Sequence, residues 1–202
     1  MKGIYAILDE KNFNFDYLEN HVKKMISFKI KIFQIRIKSD FNKKIISTIL
    51  KIQKLCTLYN CTLILNDNVE LVKDLKLDGV HIGKNDKDLI DCRNFLGDKK
   101  IIGVSCYSNF DRAITATKYN ASYVSFGSLY NTSTKSDATK LDISVFHKAK
   151  SILNIPICLI GGINENNILE VIKLNSDLIA ISNGLSSNIK VKNITSVYYE
   201  KK

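Results

Sequence analysis

Short apolar runs and longer amphipathic stretches take turns along this chain. The runs fall at Ile4–Leu8, Ile32–Ile37, Leu63–Leu65, Gly79–Ile82, Ile101–Val104, Tyr123–Phe126, Ile157–Ile160 and Leu178–Ile181. Most are continuously apolar and do not alternate, the pattern of strands buried on both faces of a parallel sheet. Between them, apolar positions recur at helical spacing over Tyr17–Phe28, Lys43–Tyr59, Asn68–Leu75, Leu89–Leu96, Phe110–Tyr119, Ser144–Leu153 and Asn166–Leu174. In the second of these, Ile45, Ile46, Ile49, Ile52 and Leu55 make one stripe at spacings of three and four. Asn109 ahead of Phe110 and Asn164 ahead of Glu165 suit helix starts, where a side-chain oxygen accepts from the first free amides.

The alternation amounts to eight strand–helix units of about 25 residues, and repeated right-handed crossovers of that kind close most simply into a (β/α)8 TIM barrel. At 202 residues the barrel is near its lower size limit and has little room for insertions. A doubly wound open sheet is the rival α/β arrangement. It calls for a glycine-rich turn after the first strand, and here Leu8 is followed by Asp9-Glu10-Lys11-Asn12. Neither GxGxxG nor GxxxxGK[ST] occurs. With a single proline, Pro156, and no low-complexity stretch or linker, residues 1–202 are expected to form one domain.

Composition narrows the class. An apolar fraction of 45% supports a core that folds without metal or crosslinks. Five cysteines, Cys56, Cys61, Cys92, Cys106 and Cys158, form no CxxC and no His–Cys pair, which argues against zinc and disulfides and for a reducing, cytoplasmic setting. The longest apolar run, Ile155 to Ile163, is half a membrane span and contains a proline and two glycines. The apolar start Ile4 to Leu8 is too short for a signal peptide and meets acids at once. Secreted, membrane, collagenous and disordered classes are therefore set aside. The net charge of +10 suggests a nucleic-acid footprint, but only Arg36, Arg93 and Arg112 among 30 basic residues are Arg, and the lysines are scattered. That scatter describes a solvated surface, with a few cations left to face a phosphorylated ligand.

In a barrel, ligands gather where strands end and the following loops begin. The second strand ends Gln34-Ile35-Arg36-Ile37-Lys38, so Gln34, Arg36 and Lys38 share one face and the two isoleucines the other. A row of one amide and two cations facing inward is hard to justify as packing and points to an anion site. Asn66-Asp67 follows the third strand, and Asp78-Gly79-Val80-His81-Ile82-Gly83-Lys84-Asn85-Asp86 covers the fourth. Asp67 and Asp86 can share Mg2+, which takes one or two carboxylates and completes its shell with water and phosphate oxygens; read alone, Asp86 serves equally as a helix cap. His81, at the end of a buried strand, is as well explained as a hydrogen-bonded structural imidazole as by acid–base work, while His21 and His147 lie on helices and read as superficial. Gly103-Val104-Ser105 ends the fifth strand, and Thr132, Thr134 and Lys135 after the sixth supply two hydroxyls and a cation for a phosphate. Gly161-Gly162 after the seventh and Ser182-Asn183-Gly184 after the eighth form the small-residue corner that holds phosphate in many barrels. Two anion sites and a carboxylate pair suggest two phosphorylated substrates.

These blocks, in this order, resemble the thiamine phosphate synthase (thiamine-phosphate pyrophosphorylase) family from Tyr5 to about Ser187. The shared pattern is Gln-x-Arg-x-Lys, Asn-Asp, DGVH-x-G-x-x-D, Gly-Val-Ser, Thr-x-Thr-Lys, Gly-Gly-Ile and a final hydrophobic-Ser. The resemblance implies a transferase of thiamine biosynthesis that joins 4-amino-5-hydroxymethyl-2-methylpyrimidine diphosphate to 4-methyl-5-(2-phosphoethyl)thiazole, with Mg2+ as cofactor. It implies that Arg36, Lys38, Asn66 and Lys135 hold the diphosphate with Gln34 beside it, and that Asp67 and Asp86 bind the metal. Ser105 would contact the pyrimidine amino group. Thr132, Thr134, Gly161, Gly162, Ile181 and Ser182 would hold the thiazole phosphate. The partners expected are the two small substrates, with no nucleic acid and no membrane; a homo-oligomer is compatible with such a chain.

Four places depart from the family pattern. Ile37 stands where an acid is usual, Lys84-Asn85 where Gln and Glu/Asp are usual, and Ser128 and Asn131 replace two prolines. Ile37 is expected to face away from the mouth, and the missing prolines to loosen the sixth loop. The nearest rival, a thiazole tautomerase-like isomerase of the same superfamily, is expected to lack the Asp pair and the Thr-x-Thr-Lys clamp and to carry a His near Ser128.

Overall fold

The computed structural model describes residues 1–84, 86–132 and 140–201. Its strands are β1 (Gly3–Asp9), β2 (Ile32–Arg36), β3 (Thr62–Asn66), β4 (Gly79–Ile82), β5 (Ile101–Tyr107), β6 (Tyr123–Phe126), β7 (Ile157–Ile160) and β8 (Leu178–Ile181). They pair in parallel and in sequence order, and β8 returns to β1, so the barrel is closed. Around it lie α1 (Leu18–Ser27), α2 (Lys43–Leu58), α3 (Val69–Asp74), α4 (Leu89–Leu96), α5 (Phe110–Lys118), α6 (Ile143–Ile152), α7 (Ile168–Lys173) and α8 (Asn188–Glu200).

The two faces of each strand account for the unbroken apolar runs. On β2, Phe33 and Ile35, with Ile37 just beyond, join the layer shared with the helices. Ile32 joins the axial cluster with Tyr5, Ile7, Ile64, Tyr123, Cys158, Leu178 and Ala180. Both faces are dry at the closed end, and only toward the mouth does the inward face turn polar. Ile37 is buried among the helices, as its parity predicts.

Helix–strand joints at the closed end share one device. Lys29, Asn60, Lys76, Asn120 and Asn175 have positive φ where α1, α2, α3, α5 and α7 stop. The amide of the next residue then reaches back into the last helical turn, as Cys61 to the Cys56 carbonyl at 2.8 Å and Ala121 to that of Ala116 at 2.9 Å. Glycine usually fills this position; here Asn and Lys do, and among the described residues only α4 ends on a glycine, Gly97. Asp78 and Asp177, each just ahead of its strand, accept from the amides of Leu63 (2.7 Å) and Ile157 (2.9 Å) on the neighbouring strand.

Some boundaries differ from the sequence reading. Asn109 caps α5 through the Arg112 amide. Asn164 does not cap α7, which starts at Ile168; it accepts from the Asn166 amide at 2.9 Å in the turn before it. β5 runs past Val104 to Tyr107, with a register slip against β6 between Ser105 and Tyr107. α8 was absent from the sequence candidates: its buried stripe, Val191, Ile194, Thr195 and Tyr198, is diluted by Asn and Lys. His21 is not superficial; it is half-buried, bonds the Leu185 carbonyl at 3.1 Å and meets the Phe13 ring edge-on. All five cysteines are buried and unpaired by disulfides. Among the described residues no helix is long and apolar enough to cross a membrane.

Candidate active site

The strand ends and their loops enclose a cavity of about 730 Å3 at the mouth of the barrel. It collects Gln34, Arg36, Lys38, Asn66, Asp67, Asp86, Ser105, Thr132, Gly161, Gly162, Ile181 and Ser182, all named from the sequence. Thr134 and Lys135 lie outside the described residues.

The cation row is held by acids. Arg36 donates to the carboxylate of Asp9, which is fully buried and also accepts from the Lys11 amide at 2.9 Å. A buried carboxylate facing a guanidinium fixes where the guanidinium points. Lys38 pairs with the Asp67 carboxylate. Its backbone is pinned by Glu10, whose Oε1 accepts from the amides of Lys38 (2.5 Å) and Ser39 (3.0 Å) and whose Oε2 accepts from the Ser39 hydroxyl (2.6 Å). Burial pushes the Glu10 carboxyl up, but these bonds and nearby Arg36 outweigh it and hold it below the usual range.

Asp67 and Asp86 meet across neighbouring loops, their carboxyls within hydrogen-bonding reach of each other. Burial first, and then that contact, raise the Asp67 carboxyl above its ordinary value despite Lys38. Burial also pushes Asp86 up, but its bonds from Asp67 and from the Gly83 amide (2.5 Å) leave it below its ordinary value. Asp86 is therefore not the cap of α4, a role taken by Asp88. Two facing carboxylates are a hard-oxygen donor set of the kind Mg2+ takes, with waters and ligand oxygens supplying the rest. Among the described residues no larger cluster of His, Cys, Asp and Glu forms a metal cage.

Below the mouth, Ser105 Oγ lies 2.8 Å from His81 Nε2, and His81 Nδ1 lies 2.8 Å from the Tyr123 hydroxyl. Tyr123 bonds Tyr5 at 2.9 Å, and Tyr5 accepts from Gln34 Nε2 at 2.6 Å. Gly103 is glycine because a Cβ there would lie 2.0 Å from the Tyr123 ring. His81 is thus the hydrogen-bonded imidazole that its position suggested.

On the opposite side, Gly161 and Gly162 have φ of +111° and +65°. Side chains there would meet Ser128 Oγ at 2.0 Å and the Asn131 carbonyl at 2.4 Å, so the backbone itself forms the wall. Ser182 accepts from Asn12 Nδ2 at 2.9 Å. The stem of the sixth loop is tied without prolines: Ser128 donates to the Tyr130 carbonyl (2.6 Å), and the amides of Leu129 and Tyr130 reach the carbonyls of Ile160 (3.0 Å) and Gly161 (3.1 Å). These bonds hold residues 128–130, while residues 133–139 of the same loop lie outside the described residues.

Sequence reasoning passed over Asp9, Tyr5 and Tyr123. Asp9 was readable as the inward residue two positions after Ile7 on a strand facing Arg36. The tyrosine pair was not, since its members are 118 positions apart.

The thiamine monophosphate synthase family model matches residues 4–185. The chain is 34% identical to the thiamine-phosphate synthase of Clostridium acetobutylicum over 98% of its length and 93% of the relative's. It is 37% identical to that of Nitrosomonas eutropha over 93% and 88%. Its fold matches the thiamine phosphate pyrophosphorylase structure from Pyrococcus furiosus with a TM-score of 0.86 at 24% identity, covering 98% of this chain and 96% of that one. The chain belongs to the thiamine monophosphate synthase family.

Proposed function

We propose that the barrel condenses 4-amino-5-hydroxymethyl-2-methylpyrimidine diphosphate with 4-methyl-5-(2-phosphoethyl)thiazole, giving thiamine phosphate and diphosphate. One observation carries the reading: a single mouth holds Arg36 and Lys38 beside the Asp67–Asp86 pair, with the glycine-walled corner of Gly161 and Gly162 lining the same cavity. That is one place for a leaving diphosphate and another for a substrate phosphate. The names of the relatives agree with it.

In this reading the bond between the pyrimidine methylene carbon and the diphosphate oxygen breaks, and the oxygen keeps the electron pair. The electron-rich ring stabilises the resulting cation, and the thiazole nitrogen lone pair forms the new C–N bond. No side-chain nucleophile takes part. Asp67 and Asp86 would hold Mg2+, which would supply positive charge against the leaving diphosphate. Arg36, aimed by Asp9, and Lys38, pinned through Glu10, hold that anion in place. Asn66 and Lys135 complete its binding, Ser105 faces the pyrimidine edge, and Thr132, Thr134, Ile181 and Ser182 with the two glycines hold the thiazole phosphate. Alignment of two substrates in one cavity supplies the remaining advantage.

Mixing the purified protein with both substrates and Mg2+ and assaying for thiamine phosphate tests the reading; absence of product overturns it. With product formed, Asp67→Ala and Lys135→Ala each lower turnover strongly, and normal rates in both would reject the roles given to them.

A further inference from the structure

The hydrogen bonds between Gln34 and Ser105 form one chain, and counting hydrogens gives it a direction. Gln34 Nε2 only donates, so the Tyr5 oxygen accepts at 2.6 Å. A phenol has one hydrogen, and the next oxygen in line from Tyr5 is that of Tyr123, 2.9 Å away. Tyr5 therefore gives its hydrogen to Tyr123, and Tyr123 gives its own to His81 Nδ1 at 2.8 Å. An imidazole nitrogen that accepts is bare, so the ring proton sits on Nε2 and is donated to Ser105 Oγ at 2.8 Å. One oxygen lone pair of Ser105 is then occupied, and its own hydrogen is left for whatever lies in the mouth.

We infer that this chain fixes His81 as the Nε2–H tautomer and presents Ser105 to the substrate ring as a hydrogen-bond donor, with Tyr5 and Tyr123 as positioning residues. The surroundings oppose reversal. Gln34, Tyr5 and Tyr123 are 3%, 1% and 0% exposed: Gln34 and Tyr5 only border the cavity, and Tyr123, at the centre of the chain, is closed off from it. The Tyr123 ring is seated against Gly103, edge-on to Tyr5 at 5.9 Å between centroids and stacked on His81 at 5.5 Å. A doubly protonated His81 would make Tyr123 accept from both neighbours and strand its hydrogen in a dry interior. The ring edge that suits a donating Ser105 carries an acceptor nitrogen, as an aminopyrimidine does beside its amino group. The identity of that ring rests on the condensation reading; the direction of the chain does not.

Long-range 1H–15N spectra of the labelled protein read this directly, because the chain has only three histidines. The expected result is a pyridine-type shift at His81 Nδ1 and a pyrrole-type shift at Nε2. The opposite pattern, or averaged shifts, overturns the inference whether or not any variant folds. Tyr123→Phe keeps the ring and removes the relay. It is expected to give mixed His81 tautomers and to raise KM for the pyrimidine diphosphate about tenfold with a smaller change in kcat. An unchanged tautomer and KM in that variant also overturn it. Correct tautomers without thiamine phosphate formation would reject the condensation alone; product with an Nδ1–H His81 would reject the relay alone.

Discussion

Replacing Asp9 by Asn keeps the shape of the side chain and removes its charge. Asp9 is fully buried against Arg36, whose side chain is 13% exposed. The guanidinium of the variant stays charged in a place with little water. Breaking a buried ion pair from one side costs about 3–5 kcal/mol. The small opening at Arg36, and an acceptor still in place for the Lys11 amide, put this case near the lower end, about 3 kcal/mol. In a domain of this size each kcal/mol moves the melting midpoint by about 2–4 °C, so a drop of about 6–12 °C follows. Thermal unfolding followed by circular dichroism measures it, and urea unfolding should show a lower midpoint at unchanged slope. In a double-variant cycle with Arg36→Met, the two effects should add to less than their sum, because the second change removes the stranded charge. A midpoint within about 2 °C of the parent protein, or strict additivity, would refute this account of how Arg36 is aimed.

Gly161→Ala places a methyl 2.0 Å from Ser128 Oγ at a φ of +111°. It should cost about 1–3 kcal/mol and raise KM for the thiazole phosphate more than for the pyrimidine diphosphate, as initial rates against each substrate would reveal. Glu10, held below its ordinary value, contributes stability above the unfolded value of about 4.3 and loses it as pH falls through its folded value. Glu10→Gln should therefore lose the acid-side fall that this residue causes, and identical acid limbs in pH-dependent urea melts would contradict the assignment. Burial pushes the Cys56 and Cys106 thiols up to about 12, so neither should react with an alkylating reagent at neutral pH until the protein is unfolded. Prompt labelling of either in the native protein, read by mass spectrometry, would show that the barrel opens there.

The barrel was legible because its strands are buried on both faces. Runs such as Ile157–Ile160 have no polar position to blur their ends, and the structure keeps those limits. The mouth was legible through parity: alternation alone put Gln34 and Arg36 on one side and Ile35 and Ile37 on the other. Helix ends were harder, because Asn60, Lys76 and Asn175 do the work of the glycines that normally punctuate a sequence. α8 escaped notice for a related reason, its buried stripe being interleaved with Lys and Asn. The Tyr5–Tyr123 pair depends on which residues the closed barrel brings across its axis, which no local pattern contains, whereas Asp9 and Arg36 are register partners on the neighbouring strands β1 and β2.

The Tyr5–Tyr123 pair also partitions the barrel along its length. On the closed side lie Ile32, Ile101 and Leu178, each two residues nearer that end than an inward neighbour on the same strand. On the open side Gln34, His81 and Ser105 bring oxygen and nitrogen to the inward face beside Ile7 and Ile160. Tyr5, hydrogen-bonded to Tyr123 beneath it, borders the bottom of the cavity, and the two belong to β1 and β6, not to any loop. How far a ligand can descend is thus written into the rigid frame, while the loops decide only what is admitted. Changes in the loops can retune the clientele of such a barrel while its depth stays constant.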